Sequence, residues 1–442
     1  VTTNRHSLVF RNSFSMKFLL KLILKLLAKA TLAKYCPRIV GITGSVGKTG
    51  SRLAVAAVLR QRFSVGEPAK NLNNEIGLPL AILGEQDSGY RSLVAWLGIF
   101  VRAFKQLIVK NSTYPEILVL EYGVDRPGDM DYLLSVARPE VAVLTAVSPT
   151  HLEFLQTVEG VAREKGKLVL ALPATGTAVL NVDYPQVAAL VGKGAAKVLR
   201  YGSDNMANVR AQGVSLSQDA SGAVQGVSFR LSIEGSTVPV LVRGTIGTPA
   251  VSMAMAGAAV GLALGLSVLE VTRGLAAFVP PPGRLSLIEG VHGTTIIDDT
   301  YNSSPEAVRV ALLALGDMPC PVGARRWAVL GDMLELGKES EVLHRAVGEE
   351  VAKLKIDYLV TVGEQSRDIA RGAIAAGLSE QNTWHVPESS QAGKTILESL
   401  LSGDVVLVKG SQGVLCERVV KDLMAAPRRA GELLVRQSKP WV

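Results

Sequence analysis

The residues best suited to chemistry fall at four places in the chain. The first is Gly44-Ser45-Val46-Gly47-Lys48-Thr49, which follows a β-branched run from Ile39 to Thr43 and leads into a segment with Ala and Leu at helical spacing. A strand, a glycine turn and a helix form the setting in which backbone N–H groups cradle phosphates at the positive end of a helix. There Lys48 would reach the β- and γ-phosphates and the Thr49 hydroxyl would bind Mg²⁺. The loop is short: Ile42 stands where the longer G-x4-G-K-[ST] pattern needs glycine, so only G-x2-G-K-T holds. The other three are Glu121 at the end of the hydrophobic run ILVLE, His151 just past VAVLTAVSPT, and Lys165 in VAREKGKL. Taken singly, Glu121 reads equally as a solvated strand-end carboxylate and His151 as a helix cap. Beside a phosphate loop they suggest a second Mg²⁺ site.

Such residues need a frame that brings strand ends together. Ligands of an open parallel sheet bind beyond the carboxyl ends of its strands, so the loop, Glu121 and His151 are expected at one edge. Buried strands alternating with helices predict an α/β protein. Residues 1–37 read as an extension. Residues 38–280 read as a phosphate-loop domain with a mostly parallel sheet and helices on both faces. Within it, polar and apolar residues alternate over 205–245 with turn signals between, which predicts a small antiparallel sheet. Pro280, Pro281 and Pro282 in FVPPPGRL block helix continuation and mark a hinge. From 283 to 442 the runs WAVLGD, DYLVTVG and DVVLVKG predict a second, Rossmann-like domain.

Composition agrees. With 442 residues, 48% hydrophobic and 19% charged, the chain is long enough for two or three domains and is not a disordered tail. No collagen, heptad or solenoid period runs through it. Cys36, Cys320 and Cys416 are widely spaced, which suggests neither a disulfide framework nor a structural zinc site and fits a reducing cytoplasm. The net charge of +8 is local. Eight of the 47 basic residues and none of the 39 acidic ones fall before residue 39, so the rest of the chain is neutral and nucleic acid is not the expected partner.

Within that basic segment Lys17, Lys21, Lys25 and Lys29 recur every four residues among leucines. A lysine in each turn interrupts both a membrane span and a signal peptide. A helix over 16–35 is therefore expected, either in a membrane interface with lysines at anionic head groups or docked on the protein with lysines in solvent. Residues 93–110, LVAWLGIFVRAFKQLIVK, are apolar and aromatic with Arg102, Lys105 and Lys110 as the only charges, and read equally as a core helix or as part of the same membrane-facing side. Val1 leaves an alternative start codon or a start at Met16 open.

The strings GITGSVGKT, NLNNEIGLPL, ILVLEYGVDRPGDMDYLL, VAREKGKL, TAVLNVDYP, IIDDTYNSSPEAV, AVLGDMLELGKESEVLH and VLVKGSQG occur in this order over residues 38–425. Together they resemble the Mur ligase family, ATP-dependent amide-bond ligases of peptidoglycan synthesis, and within it the branch that adds D-alanyl-D-alanine to a muramoyl-tripeptide through an acyl phosphate. The resemblance implies ATP and two Mg²⁺ ions, with Thr49 and Glu121 at one ion and His151 at the other. It implies nucleotide contacts from Gly44, Ser45, Val46, Gly47, Lys48, Thr49, Asn181, Asp183, Arg284, Asp299, Tyr301 and Asn302, with Asp298 nearby. It places Asn73 and Asn74 on the reacting-substrate side, the amine substrate on residues 283–442, and matches Lys165 to a lysine that the family carbamylates.

Three departures accompany it. About 40 residues precede the phosphate loop where the family has a uridine-nucleotide domain. Gly50 replaces a common hydroxyl residue and Gln412 a common arginine, and GTIGTPAV replaces a G-x-H-N string. The first departure keeps open a lipid-linked or other acceptor as the rival substrate. Two weaker rivals are a nucleotide-binding scaffold at the membrane and a folate-polyglutamate type of ligase. The expected location is the cytoplasm, with peripheral membrane contact through residues 16–35 and 93–110.

Overall fold

The computed structural model describes residues 5–68, 71–86, 93–150 and 152–437. The chain divides into two compact units. One holds the residues up to Gly213 with Phe229–Val240 and Ser252–Phe278; the other holds Val214–Ser228, Leu241–Val251 and the residues from Val279 on.

In the first unit the elements run α1 (Arg5–Tyr35), β1 (Arg38–Thr43), α2 (Lys48–Leu59), β2 (Val65–Gly66), α3 (Gly77–Ile82), α4 (Leu93–Ile108), β3 (Ile117–Glu121), α5 (Asp129–Val136), β4 (Val141–Leu144), α6 (Leu152–Leu155), α7 (Val158–Leu170), β5 (Thr177–Asn181), α8 (Pro185–Ala188) and β6 (Lys197–Gly202). The sheet order is β2-β3-β1-β4-β5-β6, all parallel. β1, β3, β4 and β5 are buried along nearly their whole length, as expected of strands covered on both faces. The β3–β1–β4 order sets the carboxyl ends of β3 and β4 on either side of the loop that follows β1.

β7 (Val209–Gln218), β8 (Val224–Ile233) and β9 (Ser236–Arg243) are the strands expected as a small antiparallel sheet, and they are continuous with the large one. They extend the large sheet beyond β6, bringing it to nine strands. Alternation reports which face of a strand is wet and says nothing about its neighbour.

α10 (Val268–Ala276) packs on α2, and α9 (Thr248–Ala263) approaches it at Gly257. A Cβ on Gly257 would lie 3.0 Å from Ala54 backbone, and one on Gly274 would lie 2.4 Å from Val58 Cα. Small residues here let the backbones approach the helix that follows the phosphate loop.

The N-terminal segment is a helix docked on the body, and its Lys21 and Lys25 are held by the body rather than left in solvent. Leu24, Leu27, Ala28 and Thr31 are buried, the first three in one core with Ile99, Ala103, Leu80 and Leu133. Lys21 pairs with Glu75 at 2.8 Å, and Lys25 donates to Ser135 Oγ at 2.6 Å while lying over the Tyr132 ring. Lys34 donates to the carbonyls of Gln106, Leu107 and Val109, satisfying the orphan acceptors at the end of α4. Tyr35 stacks on Tyr114 with centroids 4.3 Å apart. Spacing alone places the lysines on one stripe; a carboxylate and a hydroxyl of the body hold two of them, Lys21 and Lys25, while Lys29 stays exposed.

The second unit contains β10 (Ser286–Glu289), β11 (Thr295–Asp299), α11 (Pro305–Asp317), β12 (Arg326–Gly331), α12 (Ser340–Lys353), β13 (Tyr358–Val362), α13 (Arg367–Ala375), β14 (Thr383–Val386), α14 (Ser389–Leu397), β15 (Val405–Lys409), α15 (Glu417–Leu423) and α16 (Ala430–Leu433). Its sheet order is β10-β11-β15-β12-β13-β14, parallel except for the β10–β11 edge. Two apolar cores lie in this unit, one around Leu312, Leu330 and Leu359 and one around Trp327, Val406 and Val420. The α/β reading and the Rossmann-like pattern of this half both hold.

Candidate functional site

The phosphate loop is built as its sequence requires. Gly44 has φ +150° and Gly47, at the N-cap of α2, has φ +82°. A Cβ on Gly44 would meet Thr145 Oγ1 at 2.0 Å, so only glycine brings the backbone this close to β4. Thr145 donates to Val46 O at 2.5 Å, and Ser45 N donates to Ala146 O at 2.9 Å. Ser45 Oγ also donates to Ser148 O at 3.2 Å. The turn is thus pinned to the segment after β4 while the first N–H groups of α2 point away from their own helix. Lys48 folds back over the loop, its Nζ 2.6 Å from Gly44 O. A glycine cradle, a helix N-terminus and a lysine at one point fit a polyphosphate.

Beside the loop stands a carboxylate held in one orientation. Glu121, 1% exposed, closes β3. Its Oε1 accepts from Arg52 Nε at 2.9 Å and its Oε2 lies 3.4 Å from Thr49 Oγ1. Arg52 is itself 2% exposed and reaches Glu67 at 2.7 Å and Pro68 O at 2.6 Å. One carboxylate oxygen is therefore held by the arginine and the other faces the threonine hydroxyl. Two hard oxygen donors at adjacent strand and helix ends suit Mg²⁺.

Lys165 on α7 is 1% exposed. Burial, and next the charge of Lys48, push its ammonium down to about 7, against the pull of Asp125 and Glu164. Its neighbour Glu164 anchors the helix: Oε1 accepts from Gly128 N and Met130 N, each at 3.0 Å, at the start of α5, and Oε2 pairs with Lys167 at 2.7 Å. His151 lies outside the described residues.

Asn73 sits against the end of β3: a Cβ on Gly123 would be 2.8 Å from the Asn73 side chain, and Gly123 N donates to Asn73 O at 2.8 Å. Asn74 has a structural occupation, since its Oδ1 accepts from Ile76 N and Gly77 N at 3.2 and 2.8 Å and starts α3. Asn181 Nδ2 donates to Thr145 O at 2.8 Å, so it braces the residue that braces the loop. Asp183 is exposed and accepts from Ser203 N and Oγ, both at 2.8 Å.

In the second unit the hinge-proximal residues form their own cluster. The Arg284 guanidinium lies 4.2 Å over the Tyr301 ring. Asp299 Oδ2 pairs with Lys409 Nζ at 2.6 Å, and the same ammonium donates to Asn302 O at 2.8 Å. Asp298 is buried, and desolvation pushes its carboxyl up to about 7 despite the Thr300 donors on Oδ1.

The structure thus brings Gly44, Ser45, Val46, Gly47, Lys48, Thr49 and Glu121 together, with Asn73 beside them and Asn181 behind the loop. Arg284, Asp299, Tyr301 and Asn302 meet in the second unit. Sequence reasoning missed Arg52, Glu164 and Lys409. The signals were present: a lone arginine in the apolar run of α2, an acid preceding Lys165, and a lysine ending a buried strand.

Residues 42–259 match the Mur ligase middle domain and residues 283–412 match the glutamate ligase domain of Mur ligases. The chain is similar to the UDP-N-acetylmuramoyl-tripeptide--D-alanyl-D-alanine ligase of Bacillus subtilis, 30% identical over 403 residues, which span 91% of this chain and 79% of that protein. The protein of the same name from Mycobacterium leprae is 33% identical over 412 residues, 88% of this chain and 74% of that protein. Among solved structures, the MurF ligase of Thermotoga maritima in complex with ADP aligns with a TM-score of 0.74 at 27% identity, covering 91% of this chain and 83% of that one.

Proposed function

The chain belongs to the Mur ligase family of ATP-dependent, ADP-forming ligases, and from that premise we propose that it joins D-alanyl-D-alanine to the terminal carboxylate of a muramoyl-tripeptide. The observation that carries the reading is the Gly44–Thr49 loop, with Lys48 closed over it and Thr49 facing an oriented Glu121.

An amide does not form from a carboxylate and an amine at neutral pH, because the carboxylate is a poor electrophile. In the proposed reaction a carboxylate oxygen attacks the γ-phosphorus of ATP and ADP leaves. The amine nitrogen of the dipeptide then attacks the acyl carbon, phosphate departs with the carbon–oxygen bond, and the nitrogen gives up a proton. In this scheme the loop N–H groups and Lys48 hold the phosphate oxygens and offset charge as it moves to the leaving ADP. Thr49 and Glu121 would hold one Mg²⁺, with His151 and Lys165 assigned to a second. The ions supply charge neutralisation for phosphoryl transfer. Arg52 fixes the Glu121 carboxylate so that its Oε2 stays toward Thr49.

Lys165 fits carbamylation because an amine pushed down to about 7 is largely neutral at physiological pH and able to attack CO₂. Its nitrogen bonds the CO₂ carbon and loses a proton, turning a largely neutral buried amine into an anion. Asn73 is assigned to the muramoyl substrate. Residues 38–280 are assigned to ATP and residues 283–442 to the incoming amine, with Asn181, Arg284, Asp299, Tyr301 and Asn302 as nucleotide-side groups. The exposed placement of Asp183 and its bonds to Ser203 support a loop-fixing role for it.

A lipid-linked muramoyl acceptor is the second reading, favoured by the apolar outward sides of α1 and α4. Mass spectrometry of products formed with ATP, Mg²⁺ and D-alanyl-D-alanine from UDP-muramoyl-tripeptide or from its lipid-linked counterpart decides between them. Pentapeptide from the UDP substrate supports the first reading. Product from the lipid-linked acceptor alone supports the second, and product from neither refutes both.

A further inference from the structure

Helices α1 and α4 are apolar on two opposite sides, which a docked core helix does not need. On α1 the inward residues Leu24, Leu27 and Ala28 are buried, while Leu19, Leu22 and Leu26 are turned out, Leu26 being 58% exposed. On α4, Ile99 and Ala103 face the core. Val94, Leu97, Val101, Phe104 and Ile108, at helical 3 and 4 spacing, face solvent with exposures of 56–82%. The two helices pack against each other and are locked by Lys34 and Tyr35 on the last carbonyls of α4. A patch of this extent on a soluble surface marks an interaction site.

We propose that this two-helix face seats on an anionic lipid surface. Charge selects that occupant. Residues 1–38 carry eight basic and no acidic residues, and Lys105 and Lys110 stand exposed on and just after α4. An isologous contact between two copies would set this basic segment against itself, which charge repulsion opposes; an anionic leaflet attracts it. Lys29 stays exposed beside the leucines, while Lys21, Lys25 and Lys34 are spent on fixing the helix. The outward stripe of α4 is about 21 Å long, and among the described residues no helix is long and apolar enough to cross a membrane. The face therefore lies in the interface, with leucines and Phe104 among the acyl chains and lysines at the head groups. This stands whichever acceptor the enzyme uses.

The test is co-sedimentation of the full chain with vesicles of phosphatidylcholine, alone or mixed with phosphatidylglycerol, at low and high salt. The comparison is the Leu97→Glu/Val101→Glu variant, whose exposed positions leave the core intact, checked by an unchanged melting temperature. The full chain sediments with the mixed vesicles, is released by salt, and the variant binds on the order of tenfold more weakly. Absence of binding, binding indifferent to lipid charge, or equal binding of the variant overturns the proposal. Sedimentation velocity without lipid supplies the remaining outcome: a dimer that the same substitutions dissolve assigns the face to a second copy and overturns it too.

Discussion

Replacing Lys165 with methionine removes the proposed carbamate and also makes the protein more stable. In the fold its ammonium is pushed from 10.5 to about 7, so holding the charged form there costs about 5 kcal/mol. Near pH 8 the folded lysine is mostly neutral, and the remaining cost, that of giving up the proton, is about 3 kcal/mol. Methionine has a similar length and no charge, so it fills the space without that cost. The sign follows from proton counting. Between about pH 7 and 10.5 the unfolded chain holds a proton that the folded chain does not, so stability rises with pH across that window and the lysine penalty is complete below it. The gain from Lys165→Met is therefore about 1.5 kcal/mol larger at pH 7 than at pH 8.5. Urea unfolding of both proteins at the two pH values in CO₂-free buffer measures it, alongside ligation assays in which the variant is inactive. A variant less stable than the parent, or a gain that does not shrink as pH rises, refutes the reasoning.

Lys48→Ala removes the cation closed over the phosphate loop and lowers turnover roughly 10³-fold with the fold unchanged by circular dichroism; near-normal turnover contradicts the phosphate-loop assignment. Arg52→Ala leaves the buried Glu121 carboxylate without its arginine, while Glu67 keeps Arg60, and costs about 3–5 kcal/mol in urea unfolding; a loss below about 1 kcal/mol would show that Glu121 is held by something else. Gly50→Ser places its Cβ 2.2 Å from Met253 Sδ and costs about 1–3 kcal/mol. Met253→Ala in the same chain relieves most of that strain, and additive losses in the double variant would remove the contact as its cause.

What was legible in the sequence was local. The loop announces itself because its glycines, lysine and threonine are consecutive and the flanking periodicities change from strand to helix at that point. Glu121 was legible only beside the loop, since a carboxylate ending an apolar strand reads equally as a solvated one until a phosphate loop stands next to it. Arg52 was not, because its role exists only once β3 lies beside α2, and nothing in the helix spacing shows which carboxylate it meets. The same holds for Lys409, whose partner Asp299 is 110 residues away. Asn74, which the family resemblance placed on the substrate side, has its Oδ1 engaged by the backbone at the start of α3, a local bond that the resemblance alone does not reveal. Gly50, read as a departure at a hydroxyl position, has a packing reason in Met253 that only the position of α9 reveals. For α1 the four-residue lysine spacing left a docked and a membrane-facing helix open, and it could not show that Lys21 and Lys25 are held by Glu75 and Ser135, partners far along the chain.

The central claim is that the chain activates a muramoyl-peptide carboxylate by phosphoryl transfer before the amine attacks. It is tested most directly with UDP-muramoyl-tripeptide labelled with ¹⁸O in its terminal carboxylate, incubated with ATP, Mg²⁺ and D-alanyl-D-alanine. The account predicts ADP, pentapeptide and inorganic phosphate carrying one ¹⁸O from the substrate. Pentapeptide accompanied by unlabelled phosphate, or by AMP and pyrophosphate, would contradict it.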